Sequence, residues 1–237
     1  PKQIDDTTFE VALRDGAKFS DGSAVTADDV VESFTRATAE GGMYVSFLTM
    51  FESIEKKDDA TVTVKTTIPN FSLLKERLAI IKIMPKTLSA DDAKAKPVGS
   101  GPWMYSEVSD TYATLVPNEN YNGEFPAKDK ELRIESLTDT TARVTAQQEG
   151  TTLVTESVPP ESISQLEGVG CTVDQVAGFG TRFIMFNVKK APWDNVKARQ
   201  AIMYSLNTEQ MVNNAFSGLA SIPTCYLPES FSNYHKA

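Results

Sequence analysis

The chain has 237 residues, long enough to bury a sizeable core and to form one or two domains. Hydrophobic residues make up 41% and charged residues 23%, close to the globular norm, which argues against disorder. With 23 basic against 32 acidic side chains, the net charge of −9 repels a phosphate backbone, so a nucleic-acid partner is not expected. No apolar run approaches the roughly 20 residues of a membrane helix. No charged-then-apolar leader opens the chain, which starts at Pro1 and reads as a mature form or an excised piece.

Thr8 to Arg14 alternates as a half-buried strand and ends on the turn pair Asp15-Gly16; a second turn lies at Asp21-Gly22. Thr26 is placed to cap a helix with Asp28 and Asp29 in its first turn, Val30, Val31 and Phe34 on one face, and an end near Gly41-Gly42. Phe51 to Lys56 and Ala60 to Thr66 predict two strands, Asn70 a cap for a short helix through Leu78, and Ile80 to Ile83 a further strand. Strands follow over Trp103 to Ser109, Ala113 to Val116 and Glu131 to Leu137. Asp139 caps a helix to Gly150, Leu153-Val154 reads as a short strand, and Pro159-Pro160 opens a helix. Phe183 to Val188 is the most strand-like run. Its lack of polar alternation predicts cover on both faces, so Arg182 to Val188 is expected as a buried strand. Asp194 starts an amphipathic helix through Leu206, and Asn207 caps another ending near Gly218. Neither a βαβ rhythm nor an internal repeat runs through this order, and the fold class is mixed α/β.

Few residues point to chemistry. Gly99-Ser100-Gly101 lacks the Lys-Ser/Thr of a phosphate loop and the third glycine of a dinucleotide fingerprint, so it reads as a tight turn with unusual dihedrals. Asp28-Asp29 and Asp91-Asp92 sit at helix starts, where the helix dipole accounts for them without catalysis. The lone histidine, His235, is a tail residue, and with Cys171 and Cys225 far apart no zinc set can be assembled. The two cysteines allow one disulfide, and two half-buried free thiols fit as well. No nucleophile–base pair stands out; no catalytic residue, metal or cofactor is expected, and no enzymatic turnover. Tyr44, Phe47 and Phe51 follow a Gly-Gly break, and Phe179 and Phe183 flank Gly180. Spacing favours the core for them, yet aromatics beside flexible backbone are also what a ligand cleft is built from.

Taken in order, several segments resemble the peptide/nickel family of bacterial extracellular solute-binding proteins, family 5. Leu13-Arg14-Asp15-Gly16-Ala17-Lys18-Phe19-Ser20-Asp21-Gly22 with Val25-Thr26-Ala27-Asp28-Asp29-Val30 is similar to its opening signature, and Pro97-Val98-Gly99-Ser100-Gly101-Pro102-Trp103 to its central turn. Asn118-Glu119-Asn120-Tyr121, Asp139-Thr140-Thr141-Ala142-Arg143 and the run from Phe186-Asn187 through Lys190-Ala191-Pro192-Trp193 to Val196-Lys197-Ala198-Arg199-Gln200-Ala201 follow in family order. Two departures, Asn122 where an aromatic is usual and Gly150-Thr151-Thr152 where Gly-x-x-Asp is common, mark a divergent branch.

The resemblance implies a periplasmic-binding-protein-like fold (type II, large cluster C) of which this is a central portion covering mainly the first lobe. Residues 1–102 would form that lobe's small extra domain, 103–186 part of its main domain and 187–237 the start of the second lobe, with 182–188 entering the hinge. It implies the substrate-binding component of an ABC importer. Such a protein captures a peptide or other small solute outside the membrane and hands it to the permease, acting as an extracellular or periplasmic monomer held by an N-terminal lipid. Nickel chelates and oligosaccharides are the family's other cargoes, and a non-transport binding or adhesion module or an uncharacterised hydrolase are rivals from other classes. By resemblance, ligand contacts include Tyr44, Phe47, Phe179 and Phe183; Phe183 matches a cleft-lining aromatic position, and Tyr44 and Phe47 fall in a small-domain loop that reaches the cleft.

Overall fold

Alternation along the first strands decides which side chains face inward. In a computed structural model describing residues 1–222, 224–231 and 234, β1 (Lys2–Gln3), β2 (Thr8–Ala12), β3 (Phe51–Asp58) and β4 (Thr61–Thr66) form an antiparallel sheet in the order β1-β2-β4-β3. Val62, Val64 and Thr66, at period two on β4, are all buried, as are Phe9, Phe51 and Ile54 beside them. Helix α1 (Ala27–Thr38) lays Ala27 and Val30 on this sheet, with Leu48, Leu74 and Ile81 closing the core. Phe51 sits edge-on to both Phe34 and Phe71, with ring centroids 6.1 and 6.2 Å away.

The opposite side of α1 is polar and partly buried. Asp29 is only 5% exposed, and its carboxylate accepts from Thr26 N (2.8 Å), Thr26 Oγ1 (2.6 Å) and Lys86 N (2.8 Å). One turn on, Ser33 Oγ accepts from Met84 N at 3.1 Å. Arg36, on the same stripe, donates to the carbonyls of Lys86 and Leu88. These bonds overturn the strand expected at Ile80 to Ile83: the segment after α2 (Leu74–Leu78) is irregular, and beyond it the chain takes its partners at Met84 and Lys86 from helix side chains instead of a neighbouring strand. Asn70 does not cap α2, which begins after Leu73; Asn70 lies at φ +52° and accepts from Gln3 Nε2. Helix α3 (Ala90–Ala95) is capped by Ser89, whose Oγ accepts from Asp92 N.

A second antiparallel sheet, in order β5-β6-β7, comprises β5 (Trp103–Val108), β6 (Tyr112–Pro117) and β7 (Leu132–Glu135). The loops at Asp15–Ser20, Gly99–Pro102 and Asn118–Asn122 are tied together by amides. Asn118 is 5% exposed; its Nδ2 donates to Gly101 O (2.8 Å) and its main-chain N to Pro102 O (2.9 Å). Ser20 N donates to Gly99 O, and Asn120 Nδ2 to Ser20 O. Asn122 accepts from Arg14 Nε at 2.9 Å and donates to Asp15 O at 2.8 Å. Gly99 and Gly101 do not have positive φ, contrary to the unusual dihedrals expected of that turn; their carbonyls serve as acceptors for the junction.

The chain divides into two compact units, Pro1–Ser136 and Leu137–Ala237. In the second unit, α4 (Thr140–Gln148) is capped by Asp139, whose Oδ1 accepts from Ala142 N at 2.8 Å. It is followed by a 3-10 turn at Pro160–Ser162, α5 (Ile163–Gly168), α6 (Val196–Ser205) and α7 (Thr208–Phe216). Asn195 caps α6 and Asn207 caps α7, their side chains accepting from Lys197 N and Gln210 N. Two expected strands are absent here. Leu153-Val154 is irregular and nearly nine-tenths exposed, and Arg182 to Val188 is irregular and largely exposed instead of a buried strand. Among the described residues, no strand lies beside either run to accept a ladder, and an apolar run without a partner strand has no reason to stay extended and buried. Cys171 and Cys225 are free, half-buried thiols, and His235 lies outside the described residues.

Two outcomes follow for stability. Asp29→Ala leaves two donors of Thr26 and the Lys86 amide without their acceptor and should cost about 2–3 kcal/mol. Asp28→Ala, which removes only exposed pairs to Lys56 and Lys86, should change stability little. Urea midpoints at unchanged slope test the contrast, and equal losses from the two variants would contradict it. The second outcome concerns acid. Hydrogen bonds from Lys86 and Lys56 hold the Asp28 carboxyl below its ordinary 3.8, and the Ser23 hydroxyl and amide do the same for Asp21. A lowered folded value gives stability that is present above the unfolded-chain value and lost as pH falls through the folded one. Melting temperature should therefore fall below about pH 4, and Asp21→Asn should flatten that decline; an identical acid limb in the variant would refute this account.

Candidate ligand-binding site

Helix α1 ends at Thr38, with Ala39 as its extended C-cap, and the chain turns through Gly41 at φ +81°, a conformation costly for residues with a Cβ. At Gly42 a Cβ would press on the carbonyls of Ala37 and Ala39, at 3.1 and 3.0 Å. The chain then forms a 3-10 turn, Val45–Phe47, with Phe47 N donating to Tyr44 O (2.9 Å) and Leu48 N to Val45 O (3.1 Å). Leu48, 1% exposed, pins this turn to the core, whereas Tyr44 and Phe47 stay 41% and 48% exposed. The guanidinium of Arg77, from α2, lies 5.5 Å from the Phe47 ring centroid.

In the second unit, Phe179 and Phe183 are 67% and 57% exposed. Phe179 meets Phe231 edge-on at 5.2 Å and Phe183 meets Tyr226 at 5.7 Å, while Ser230 Oγ donates to Gly178 O. Two irregular stretches are thus laid against each other by rings in place of a ladder. Thr181, between the two phenylalanines, has a buried hydroxyl without a hydrogen-bond partner among the described residues. Nearby open concavities of about 440 and 560 Å³ are lined around Phe186 by Met203 and Tyr204, and by Met185 and Trp193. None of the four candidate residues lines either.

Of the aromatics whose spacing favoured the core, Phe51 is buried, and Tyr44, Phe47, Phe179 and Phe183 are not. The structure brings Tyr44 and Phe47 onto one turn and Phe179 and Phe183 onto one irregular segment. Arg77 was missed by sequence reasoning; its only signal was a cation in a short helix of otherwise ordinary composition. Among the described residues, no group of three His, Cys, Asp or Glu side chains is placed to hold a metal ion, and no helix is long and apolar enough to cross a membrane.

The family model for bacterial extracellular solute-binding proteins, family 5 middle, matches residues 2–237. A glutathione-binding protein of Pectobacterium atrosepticum is 29% identical over 248 residues, covering 98% of this chain and 47% of the relative. A putative ABC transporter peptide-binding protein of Brucella ovis is 27% identical over 232 residues, covering 92% of this chain and 43% of its own length. The chain thus spans about half the length of these relatives. Among solved structures, the oligopeptide-binding protein AppA of Bacillus subtilis, in complex with a nonapeptide, aligns with a TM-score of 0.79 at 25% identity, over 100% of this chain and 49% of AppA. NikA of Staphylococcus aureus, in complex with Ni(L-His)2, aligns at 0.81 over 100% of this chain and 50% of NikA; at 21% identity that likeness is one of fold. The periplasmic-binding-protein-like α/β fold and the family model's match across residues 2–237 together make this chain a member of family 5 of the bacterial extracellular solute-binding proteins, spanning its middle region.

Proposed function

We propose that the chain serves in the substrate-binding component of an ABC importer, capturing a peptide or peptide-like solute outside the membrane and delivering it to the permease. The observation that carries this reading is the family match across residues 2–237, with relatives named for peptide and glutathione binding. The mode of action is closure without chemistry: two lobes hinge about the solute, and the closed form is what the permease receives. On this reading residues 1–102 belong to the small extra domain of the first lobe, 103–186 to its main domain and 187–237 to the second lobe. The protein works as a monomer, extracellular or periplasmic and lipid-anchored, and carries out no catalytic turnover.

Tyr44, Phe47, Phe179 and Phe183 are the proposed ligand contacts. Exposure of four large aromatics on turns and irregular backbone supports this, because such surface stabilises a fold little and is well suited to contacting a solute. Flat aromatic faces accept varied side chains, and water fills what the ligand leaves, which suits a permissive peptide site.

The test is alanine replacement of each in the full-length protein, with tri- and tetra-alanine as calorimetric probes and melting temperature followed separately. Each variant should lose roughly tenfold in affinity, the worth of about 1.4 kcal/mol, with melting temperature nearly unchanged. A core residue would instead lose about 3 kcal/mol or more of stability. Wild-type affinity in all four variants sinks the site; absence of any peptide binding sinks the peptide reading.

A further inference from the structure

The arginines of this chain mostly spend their donors on the protein. Arg14 donates to Asn122, Arg36 to Glu32 and to two carbonyls, and Arg133 to Glu135. Arg143 and Arg199 donate to main-chain carbonyls near the starts of α4 and α6. Arg77 differs. It is half-buried, so part of its hydration is already lost, yet among the described residues its guanidinium makes no hydrogen bond and has no carboxylate within ion-pair distance. Its one interaction is the cation–π contact with Phe47, 5.5 Å from Cζ to the ring centroid.

A cation–π contact uses none of the guanidinium's five N–H donors. A half-buried guanidinium with its donors unspent suits a planar, bidentate anion, and a carboxylate fits that fork. The ring beneath it belongs to the same turn that exposes Tyr44. A solute resting on these aromatics would bring a terminal or side-chain carboxylate to the edge of Arg77. On a chain of net charge −9, a cation left without an internal partner is also a local attraction for an anionic group.

We propose that Arg77, oriented by Phe47, reads a carboxylate of the bound solute, making the Tyr44–Phe47 turn selective for peptides or similar solutes with a free carboxylate. This rests on the reading of Tyr44 and Phe47 as ligand contacts.

Calorimetric titration of the full-length protein with tri-alanine and with tri-alanine amide, which differ only in the terminal carboxylate, tests it. Wild type should bind the acid at least roughly tenfold more tightly than the amide, the range expected for a charge-assisted contact. Arg77→Gln should bring the acid down to the affinity of the amide and leave the amide unchanged. Arg77→Lys, which keeps the charge but not the fork, should retain only part of the preference. Phe47→Ala should weaken both peptides. If Arg77→Gln melts early, Arg77→Lys carries the test, and an undiminished acid-over-amide ratio in it overturns the proposal. Equal binding of acid and amide by wild type, or a preference that survives in Arg77→Gln, removes the role of Arg77 and leaves the peptide reading standing. If wild type binds neither peptide, both fall together.

Discussion

Much of the first unit depends on the buried polar stripe of α1. A helix normally buries an apolar face and leaves its polar face to water, but here Asp29, Ser33 and Arg36 bind the passing chain at Met84, Lys86 and Leu88. A buried carboxylate is tolerable because three donors surround it, two from Thr26 and one from Lys86. The consequence reaches the candidate site from two directions. The end of α1 launches the turn that carries Tyr44 and Phe47, and α2, with Arg77, lies just upstream of the residues that the stripe holds. Leu48 on that turn and Leu74 on α2 then set both halves of the Phe47–Arg77 contact into the core that the same helix covers.

The segments that carry the family resemblance do a different job. The Leu13–Gly22 run, the Pro97–Trp103 turn and Asn118–Tyr121 are distant in sequence, but they meet in a junction of asparagine amides and main-chain groups. An asparagine side chain can donate and accept at once, so it can stand in for a strand partner where three loops cross. Asn122, a departure from the family pattern, joins the same junction by gripping Arg14 and Asp15 O, and Arg14 also stacks 5.2 Å from the Tyr121 centroid. A Cβ on Gly123 would meet the hydroxyl end of Tyr121 and the Arg14 guanidinium, so a larger residue there would displace both side chains. Signatures of this kind identify an architecture because they hold it together. They say nothing of cargo, which is why the family was legible in the sequence and the ligand was not.

Legibility otherwise followed the presence of a local partner. The strands β2 to β7 and the caps at Asp139 and Asn207 could be read because alternation and capping are properties of a few adjacent residues. The runs at Ile80 to Ile83, Leu153-Val154 and Phe183 to Val188 could not, since a short apolar run becomes a strand only if another strand takes its hydrogen bonds. The first of these leads into a chain that bonds to a helix instead. The aromatics show the same limit. Phe47 and Phe51 lie one helical turn apart in sequence, yet one is 48% exposed and the other 7%, because Phe51 begins a strand paired to Thr66 and Phe47 ends a turn. Arg77 carries no pattern at all; its contact is with a ring from a separate segment.

The two units differ in what orders them. In the first, sheet, helix and polar stripe share one core, and Tyr44 and Phe47 are held on a turn anchored by Leu48. In the second, Val144 and Leu166 are the buried hydrophobics among the described residues, and the Phe179–Phe183 segment is organised by contacts with Phe231 and Tyr226. Ring pairs constrain less than a ladder, since they fix a few side chains and leave the main chain to adjust. Tyr44 and Phe47 therefore sit on main chain held by a packed core, whereas Phe179 and Phe183 sit on main chain that can adjust around their ring contacts.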